Sequence, residues 1–374
     1  MKINIGLLGY NFMGKAHSFG INNAPFFFDG EVEPVKKVIC GRTESKVKAA
    51  KEQYGWEEYC TDWKDVVKRD DIDLISIATP TALHKEMAIA AAENGKHIFS
   101  EKPLAVTAPG AREMLDAVKE AGVIHMLGHN YRRVPAIALA KKFIEEGKLG
   151  EIYHFRGVYL QDFVMDPDFP AIWKLKKDKA GSGPHGDLNS HIVDLSRFLV
   201  SELEEVVGMD KTFIKKRPKP GNEDEYDEGD VDDTTAFLAK FKNGALGTFE
   251  ATRFAGGRKN HERIEINGSK GSLVFNFEKM NELKYWSNQE PEEEQGFKKI
   301  LVTEESHPYA GYWPPGHLMG YENTFIHEYK DLFESIAASN EVKPNFYDGV
   351  KINQVLDAVL KSIDSRTWEK VDEM

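Results

Sequence analysis

The sequence contains only two cysteines, Cys40 and Cys60, among its 374 residues. Small secreted scaffolds depend on several disulfides, so this class of protein is excluded. Cys40 lies in an apolar run, which predicts a buried thiol and agrees with a reducing cytoplasm. Residues 1–5 lead directly into a glycine motif without a cleavage-site pattern, so we expect no signal peptide and a cytoplasmic protein.

Long apolar runs and basic stripes are also missing. No run approaches the ~20 residues that a helix needs to span a bilayer, so no membrane partner is expected. The 61 acidic residues outnumber the 49 basic ones, for a formal net charge of -12, which argues against a nucleic-acid partner. The lysine and arginine clusters at 174–179 and 211–217, and the acidic run at 223–233, are predicted to be solvated loops. A calcium site is the alternative for the acidic run, although its spacing fits no known loop.

The first third of the chain alternates apolar runs with helical patterns. A chain of this length is too long for one ordinary core and suits two domains. Alternation of strands and helices predicts a doubly wound parallel sheet, which we assign to residues 1–127 as a Rossmann domain. The predicted strands are Ile3–Leu8, Val35–Cys40, Asp73–Ala78, His97–Ser100 and Val123–Leu127, and the predicted helices include Glu44–Tyr54, Lys85–Glu93 and Gly110–Ala121.

The pattern changes beyond Asn130. After an amphipathic helix at Pro135–Glu146, the chain shows mostly two-residue alternation. The dipeptides Asn243-Gly244 and Asn267-Gly268 separate apolar runs and predict two hairpins. We therefore expect residues 128–374 to form an α+β domain with a mostly antiparallel, open-faced sheet.

A glycine-rich segment follows the first predicted strand. Gly9 and Gly14 hold the outer places of a G-x-G-x-x-G dinucleotide fingerprint, and Asn11 holds the middle one. Asparagine tolerates a left-handed backbone well, so the turn is expected to survive. The pyrophosphate would lie on the amides at the start of the following helix, beside Phe12 and Met13.

The end of the second strand predicts which dinucleotide binds. An acidic residue is expected there for the ribose hydroxyls of NAD, but the sequence has Gly41 and Arg42. A guanidinium pairs well with a 2′-phosphate, which favours NADP over NAD. Arg42 stacking on the adenine or capping its helix is the alternative.

Two further segments follow predicted parallel strands and so reach the cofactor crevice. One contains Thr79, Pro80 and His84, and the other contains Glu101 and Lys102. A partly desolvated lysine near a cationic nicotinamide can hold a substrate hydroxyl and ease its deprotonation. A surface ion pair is the alternative for Glu101 and Lys102.

A third segment, residues 181–191, leads through glycines into an amphipathic helix. Helical spacing predicts that Asp187 and His191 share one face of that helix, one turn apart. Histidine titrates near neutral pH and suits the general base for an alcohol that gives up hydride. A structural histidine–carboxylate pair and a metal pair are the alternatives. No third ligand has convincing spacing, so we expect no metal.

In this order, these motifs resemble those of the Gfo/Idh/MocA oxidoreductases over essentially the whole chain. The family pattern is a glycine fingerprint, then T-P-x-x-x-H, then E-K-P, then G-D-x-x-x-H. This sequence matches with Thr79-Pro80 and His84, with Glu101-Lys102-Pro103, and with Gly186-Asp187 and His191. Residues 130–133, 136–146 and 159–162 are most similar to the levoglucosan and inositol dehydrogenase members. Asn11 and Gly41 depart from the family pattern and leave the choice between NAD and NADP open.

The resemblance implies a mechanism and a set of site residues. It implies that Lys102, Asp187 and His191 are the catalytic set, that the Lys102–Pro103 peptide is cis, and that hydride passes between a ring carbon and nicotinamide C4. By position it adds Asn130 as a cofactor residue. The candidates for binding a sugar or polyol, beside the catalytic set, are Tyr131, Arg132, Gln161, Asp162 and Trp173. It also implies a homodimer or homotetramer that pairs through the open sheet face.

Three points remain open at this stage. The aromatic loop at residues 307–321 either covers the site, reaches into a neighbouring subunit, or packs as an ordinary loop. An NAD-dependent glycoside hydrolase of the same fold would oxidise its substrate only transiently. A non-catalytic dinucleotide sensor is the second alternative, although a sensor has no need of Lys102 together with His191.

Overall fold

The computed structural model describes residues 1–372, and the chain forms two compact units. The first contains Met1–Asn130 and Gly320–Asn353, and the second contains Tyr131–Met319 and the residues from Gln354 onward. Residues 320–353 therefore join the first unit, whereas the change of sequence pattern near residue 128 had placed them in the substrate domain. Within the described part of the chain, no helix has the length and apolar character needed to cross a membrane.

The first unit is built on a parallel sheet of six strands in the order β3-β2-β1-β4-β5-β6, as expected for a doubly wound fold. Its strands are β1 Lys2–Leu8, β2 Glu33–Cys40, β3 Glu58–Cys60, β4 Leu74–Ile77, β5 His97–Glu101 and β6 His125–Gly128. The central strands β1 and β4 are almost completely buried, because helices cover both faces of a parallel sheet.

Local signals in the sequence place the helices of this sheet. They are α1 Phe12–Phe27, α2 Glu44–Tyr54, α3 Trp63–Val67, α4 His84–Glu93 and α5 Ala108–Ala121. Helix α3 begins where the Asp62 side chain accepts from the amide of Lys64 at 2.9 Å. Helices α2 and α5 end at Gly55 and Gly122, which have positive φ angles of 72° and 66°.

The second unit is built on a nine-stranded sheet in the order β16-β15-β14-β13-β7-β12-β11-β8-β17. All neighbours are antiparallel except β7 and β12, which are parallel. The strands of this unit, with the separate pair β9 and β10, are β7 Ile152–Leu160, β8 Leu203–Lys211, β9 Lys216–Lys219, β10 Asn222–Glu228, β11 Thr234–Phe241, β12 Leu246–Thr252, β13 His261–Gly268, β14 Gly271–Asn276, β15 Glu282–Ser287, β16 Lys298–Leu301 and β17 Glu369–Lys370. Both predicted hairpins form, as β11–β12 and β13–β14. The predicted fold class is confirmed.

Four helices of this unit cover one face of the sheet or connect its strands. They are α6 Pro135–Glu145, α7 Lys177–Ala180, α8 Pro184–Asp187 and α9 Asn189–Leu199. Asp187 and His191 were predicted on one helix, but α8 ends at Asp187 and α9 starts two residues later. Leu188 joins the two, with φ of -100° and ψ of -48°, so the chain direction is nearly preserved.

The prediction that the charged segments are solvated loops is partly wrong. The acidic run forms most of β10, which pairs with β9. Its last two carboxylates, Asp232 and Asp233, are 7% and 3% exposed, and Arg217 on β9 is 1% exposed. Arg217 donates to the carbonyl oxygens of Val164 and Asp166 at 2.6 and 2.8 Å, so it organises the preceding loop rather than facing water.

Two long helices, α10 Tyr321–Ala338 and α11 Phe346–Ser365, precede the last strand, β17. Helix α10 packs against α1 inside the first unit. Its residues Ile326, Tyr329 and Leu332 are fully buried in the core that also contains β1. A helix that lies almost 200 residues after β6 in the chain thus supports the helix of the glycine fingerprint.

Candidate active site

The glycine fingerprint forms a tight cradle between β1 and α1. Gly9 has a φ of 111°, a conformation that side chains rarely adopt. A Cβ on Gly9 would overlap the carbonyl oxygen of Ala78, and one on Gly14 would overlap the carbonyl oxygen of Gly9. Both positions therefore require glycine, and α1 begins three residues after Gly9, so a helix N-terminus, which favours anions, follows the turn.

The backbone conformation at the middle position of the fingerprint differs from our expectation. Asn11 has a φ of -75°, so it does not use the left-handed backbone for which asparagine was thought suitable. It precedes α1, and its carbonyl oxygen accepts from the amide of Lys15 at 2.9 Å. The Phe12 ring is 67% exposed and stacks on Tyr321 at 6.1 Å, while Met13 is half-buried. Phe12 and Met13 thus lie at the start of α1, as predicted.

The end of β2 joins the cradle directly. The amide of Gly9 donates to the carbonyl oxygen of Cys40 at 2.9 Å, next to Gly41 and Arg42. A Cβ on Gly41 would overlap the Tyr10 ring, which explains a glycine here. Arg42 is exposed at this end of the strand.

His84 ties together the two segments that follow β4 and β5. Its ring nitrogens lie 2.9 Å from the carbonyl oxygen of Thr79 and 3.0 Å from that of Pro103. The side chain is 1% exposed, and burial lowers its pKa, so the imidazole is neutral and only one nitrogen donates. Both nitrogens face protein carbonyls, whereas Thr79 and Pro80 are partly exposed.

The E-K-P segment lies at the end of β5. The Lys102–Pro103 peptide bond is cis, as the resemblance implied. Glu101 is 5% exposed, and its Oε2 accepts from the amide of Lys102 at 3.2 Å. Asn130, also buried, donates through its side-chain amide to the Thr324 hydroxyl at 2.8 Å within the same unit.

In the second unit, two cations hold the carboxylate of Asp187. Lys174 Nζ lies 3.0 Å and Arg253 Nη2 lies 2.7 Å from Asp187 Oδ2. The Arg253 side chain is 1% exposed, whereas Asp187 is 21% exposed. A charged group fixed by a buried arginine and still open to its surroundings can orient a ligand hydroxyl.

An aromatic network supports the ring of His191. The Tyr131 ring stacks on the imidazole with centroids 4.3 Å apart and an angle of 22°. The Tyr131 and Tyr159 hydroxyls lie 2.7 Å apart, and Tyr159 donates to Asn260 Oδ1 at 2.6 Å. Burial raises the pKa of both tyrosines, so both stay neutral at physiological pH. Stacking on a fixed ring holds the plane of the imidazole.

The other predicted substrate residues differ in their surroundings. Arg132 is 8% exposed and forms a bidentate ion pair with Asp194, with N–O distances of 2.8 and 2.6 Å. The pair is therefore buried in the core of the unit. Gln161 donates to Asn260 at 3.0 Å, and Asp162 pairs with Lys259 at 2.8 Å, which lowers the pKa of Asp162. Trp173 is 39% exposed.

The structure also shows residues that sequence reasoning missed. These are Lys174 and Arg253, which lie 13 and 66 residues from Asp187, and Tyr159 and Asn260, which lie 28 and 129 residues from Tyr131. Arg253 directly follows β12, and its place after a strand was the only available signal. Within residues 1–372, no three His, Cys, Asp or Glu side chains are grouped as metal ligands would be.

A dinucleotide cradle on a doubly wound sheet, together with a separate sheet unit that carries a histidine and a fixed carboxylate, defines a nicotinamide-dependent oxidoreductase. Residues 3–129 match the oxidoreductase family with an NAD-binding Rossmann fold, and residues 137–274 match the GFO/IDH/MocA C-terminal domain. The chain therefore belongs to the Gfo/Idh/MocA family, as predicted.

Relatives match over the full length of the chain. The levoglucosan dehydrogenase of Pseudarthrobacter phenanthrenivorans is 42% identical, with 100% of this chain and 99% of the relative covered. A crystal structure of an oxidoreductase domain protein from Kribbella flavida is 49% identical, with 100% of both chains covered and a TM-score of 0.97. A structure of levoglucosan dehydrogenase in complex with NADH and levoglucosan is 42% identical, with the same coverage and a TM-score of 0.97. The prediction of an NAD(P)-dependent dehydrogenase that acts on sugars or polyols is confirmed.

Proposed function

We propose that this enzyme oxidises a secondary hydroxyl of an anhydrosugar, sugar or inositol, or reduces the matching ketone. The observation that carries the proposal is the full-length similarity to levoglucosan dehydrogenase, whose structure contains NADH and levoglucosan. Two polar side chains of the second unit suit a polyol substrate, because Asp187 and His191 provide a hydrogen-bond acceptor and a base for hydroxyl groups.

The first unit fits the dinucleotide. A Cβ on Gly9 or Gly14 would overlap a backbone carbonyl, so the tight turn from β1 into α1 that a dinucleotide fingerprint requires closes only with glycine at both positions. We assign Thr79, Pro80, Glu101 and Asn130 to the same binding surface, with His84 acting through backbone carbonyls. When bound, the dinucleotide supplies a hydride acceptor at nicotinamide C4.

Three side chains carry the proton chemistry in this proposal. His191 accepts the proton of the substrate hydroxyl, because an imidazole titrates near neutral pH. Lys102 donates a hydrogen bond to the oxygen and stabilises the developing alkoxide. Asp187, fixed by Lys174 and Arg253, orients the substrate or His191.

The substrate residues also fall into groups. Trp173 offers an exposed aromatic plane for the apolar face of a sugar ring, and Gln161 and Asp162 offer polar groups. Tyr131 is assigned to the support of His191, and Arg132 to the support of the unit through Asp194.

A screen at 340 nm tests the class of substrate. The purified protein is mixed with anhydrosugars, sugars and inositols, with NAD and NADP in parallel. Reduction of a cofactor that depends on one substrate supports the proposal. No absorbance change, with cofactor binding shown by titration, contradicts it, and release of an aglycone in that case indicates a glycoside hydrolase.

A preference for NADP is the second part of the proposal. It rests on the exposed Arg42 and on the absence of an acid at Gly41. Arg42→Ala should lower kcat/KM with NADP about 10-fold and leave kcat/KM with NAD unchanged, because one charge-assisted pair with phosphate contributes roughly 1.5 kcal/mol. A wild-type enzyme that prefers NAD, or a variant that loses both activities equally, contradicts this preference.

The third part concerns assembly into a homodimer or homotetramer. The outer face of the nine-stranded sheet exposes 71% of Met209 and 49% of Leu238, beside a shallow groove of about 500 Å³. We expect light scattering to give a multiple of the 42.3 kDa chain mass. Leu238→Arg should shift the mass to that of one chain, because a charge in an apolar interface is costly. A monomeric wild-type protein contradicts the assembly.

A further inference from the structure

His17 is the centre of a buried polar network in the first unit. It lies on α1, and its side chain is fully buried. Its Nε2 lies 3.0 Å from Glu101 Oε1. Its Nδ1 lies 2.8 Å from the Ser76 hydroxyl and 2.8 Å from the Tyr329 hydroxyl, and these two hydroxyls lie 3.0 Å apart.

The partners determine which ring nitrogen carries a proton. A carboxylate only accepts hydrogen bonds, so Nε2 of His17 donates to Glu101. Ser76 and Tyr329 can each donate or accept, so they satisfy Nδ1 in either protonation state of the ring. Phe99 packs against the imidazole with centroids 4.7 Å apart and leaves it little freedom to rotate.

Glu101 connects the ring of His17 to the backbone of Lys102. While Oε1 faces His17, Oε2 accepts from the backbone amide of Lys102 at 3.2 Å. Gly128 on β6 leaves the space for this carboxylate, because a Cβ at that position would come within 2.9 Å of Oε1. Four elements, α1, β4, β5 and α10, thus meet at one imidazole, which contacts the residue that precedes Lys102.

We propose that His17 is a positioning residue, which sets the backbone at Lys102 through Glu101 and links it to the helix of the dinucleotide cradle. This inference rests on the proposed catalytic role of Lys102. A buried contact of this kind controls the position of a reactive group, and displacements near 1 Å cost about 100-fold in rate.

The first experiment compares His17→Leu with His17→Gln. Leucine fills the space without a donor, and we expect kcat to fall about 10- to 100-fold while the Kd of the dinucleotide changes less than about 2-fold. Glutamine can still donate from Nε2, so His17→Gln should recover most of kcat. The control is His97→Leu, because His97 is a partly buried histidine at the opposite end of β5 and lies outside the network.

A double-mutant cycle separates positioning from a general structural role. If His17 acts through Lys102, His17→Leu should have no further effect on kcat in a Lys102→Ala background. Equal losses in both backgrounds, or losses matched by His97→Leu, overturn the inference. Full activity of Lys102→Ala overturns the proposed function and this inference with it. A normal His17→Leu beside an inactive Lys102→Ala overturns the inference alone.

Discussion

Lys102→Ala is expected to lower kcat at least about 100-fold and to leave cofactor affinity nearly unchanged. The variant removes the ammonium that stabilises the developing alkoxide. It keeps the backbone of the segment, where Glu101 and the cis peptide before Pro103 remain. The measurement is steady-state kcat and KM with the substrate from the screen, together with a titration of dinucleotide binding.

His191→Ala is expected to show a loss of similar size, because it removes the proposed general base. The matched control for Lys102→Ala is Lys85→Ala, since Lys85 is an exposed lysine of the first unit, which also contains Lys102, and it pairs with Glu113 on the surface. We expect the control to keep full activity. If Lys102→Ala and His191→Ala both turn over like Lys85→Ala, the assignment of the catalytic set is wrong.

Features that depend only on residues close together in the sequence could be predicted from the sequence. Gly9 and Gly14 could be predicted because their backbone geometry is fixed within one turn, and both hairpins follow from two-residue turn signals. The exception is Asn11, where a left-handed conformation was expected and is absent. The turn uses Gly9 alone for its positive φ angle, so the middle position tolerates a residue with a side chain.

Contacts across long separations could not be read from the sequence. His17 and Glu101 are 84 residues apart, and Arg253 and Asp187 are 66 residues apart. In the sequence, each of these residues alone resembles an ordinary surface or core residue. Their roles arise only when the strands and helices that carry them are brought together, because a single pattern of spacing describes one element and not its neighbours.

The acidic run at residues 223–233 is another segment whose contacts could not be predicted from the sequence. A cluster of carboxylates normally indicates a solvated segment, and Asp224 is indeed exposed. Asp232, in contrast, is 7% exposed and accepts three hydrogen bonds. Its Oδ1 accepts from the amide of Gly183 at 2.6 Å, and its Oδ2 accepts from the amide of His185 at 2.9 Å and the Thr235 hydroxyl at 2.7 Å. One carboxylate thereby fixes the start of α8, which carries Asp187.

Asp232→Ala is therefore expected to lower the free energy of unfolding by roughly 3–5 kcal/mol, because two backbone amides and a hydroxyl lose their buried acceptor. The measurement is equilibrium denaturation with urea. The control is Asp224→Ala from the same acidic run, which should change the free energy by less than about 0.5 kcal/mol.

Activity adds a second readout for Asp232. Asp232→Asn keeps the size of the side chain and one acceptor, so this variant should fold with an intermediate loss of stability. Because Gly183 and His185 begin the segment that holds Asp187 and leads to His191, we expect kcat of the folded Asp232→Asn protein to fall while cofactor affinity stays constant. If Asp232→Ala is as stable as Asp224→Ala, the hydrogen bonds at the start of α8 do not stabilise the fold. If Asp232→Asn keeps full kcat, the geometry of Asp187 does not depend on this carboxylate.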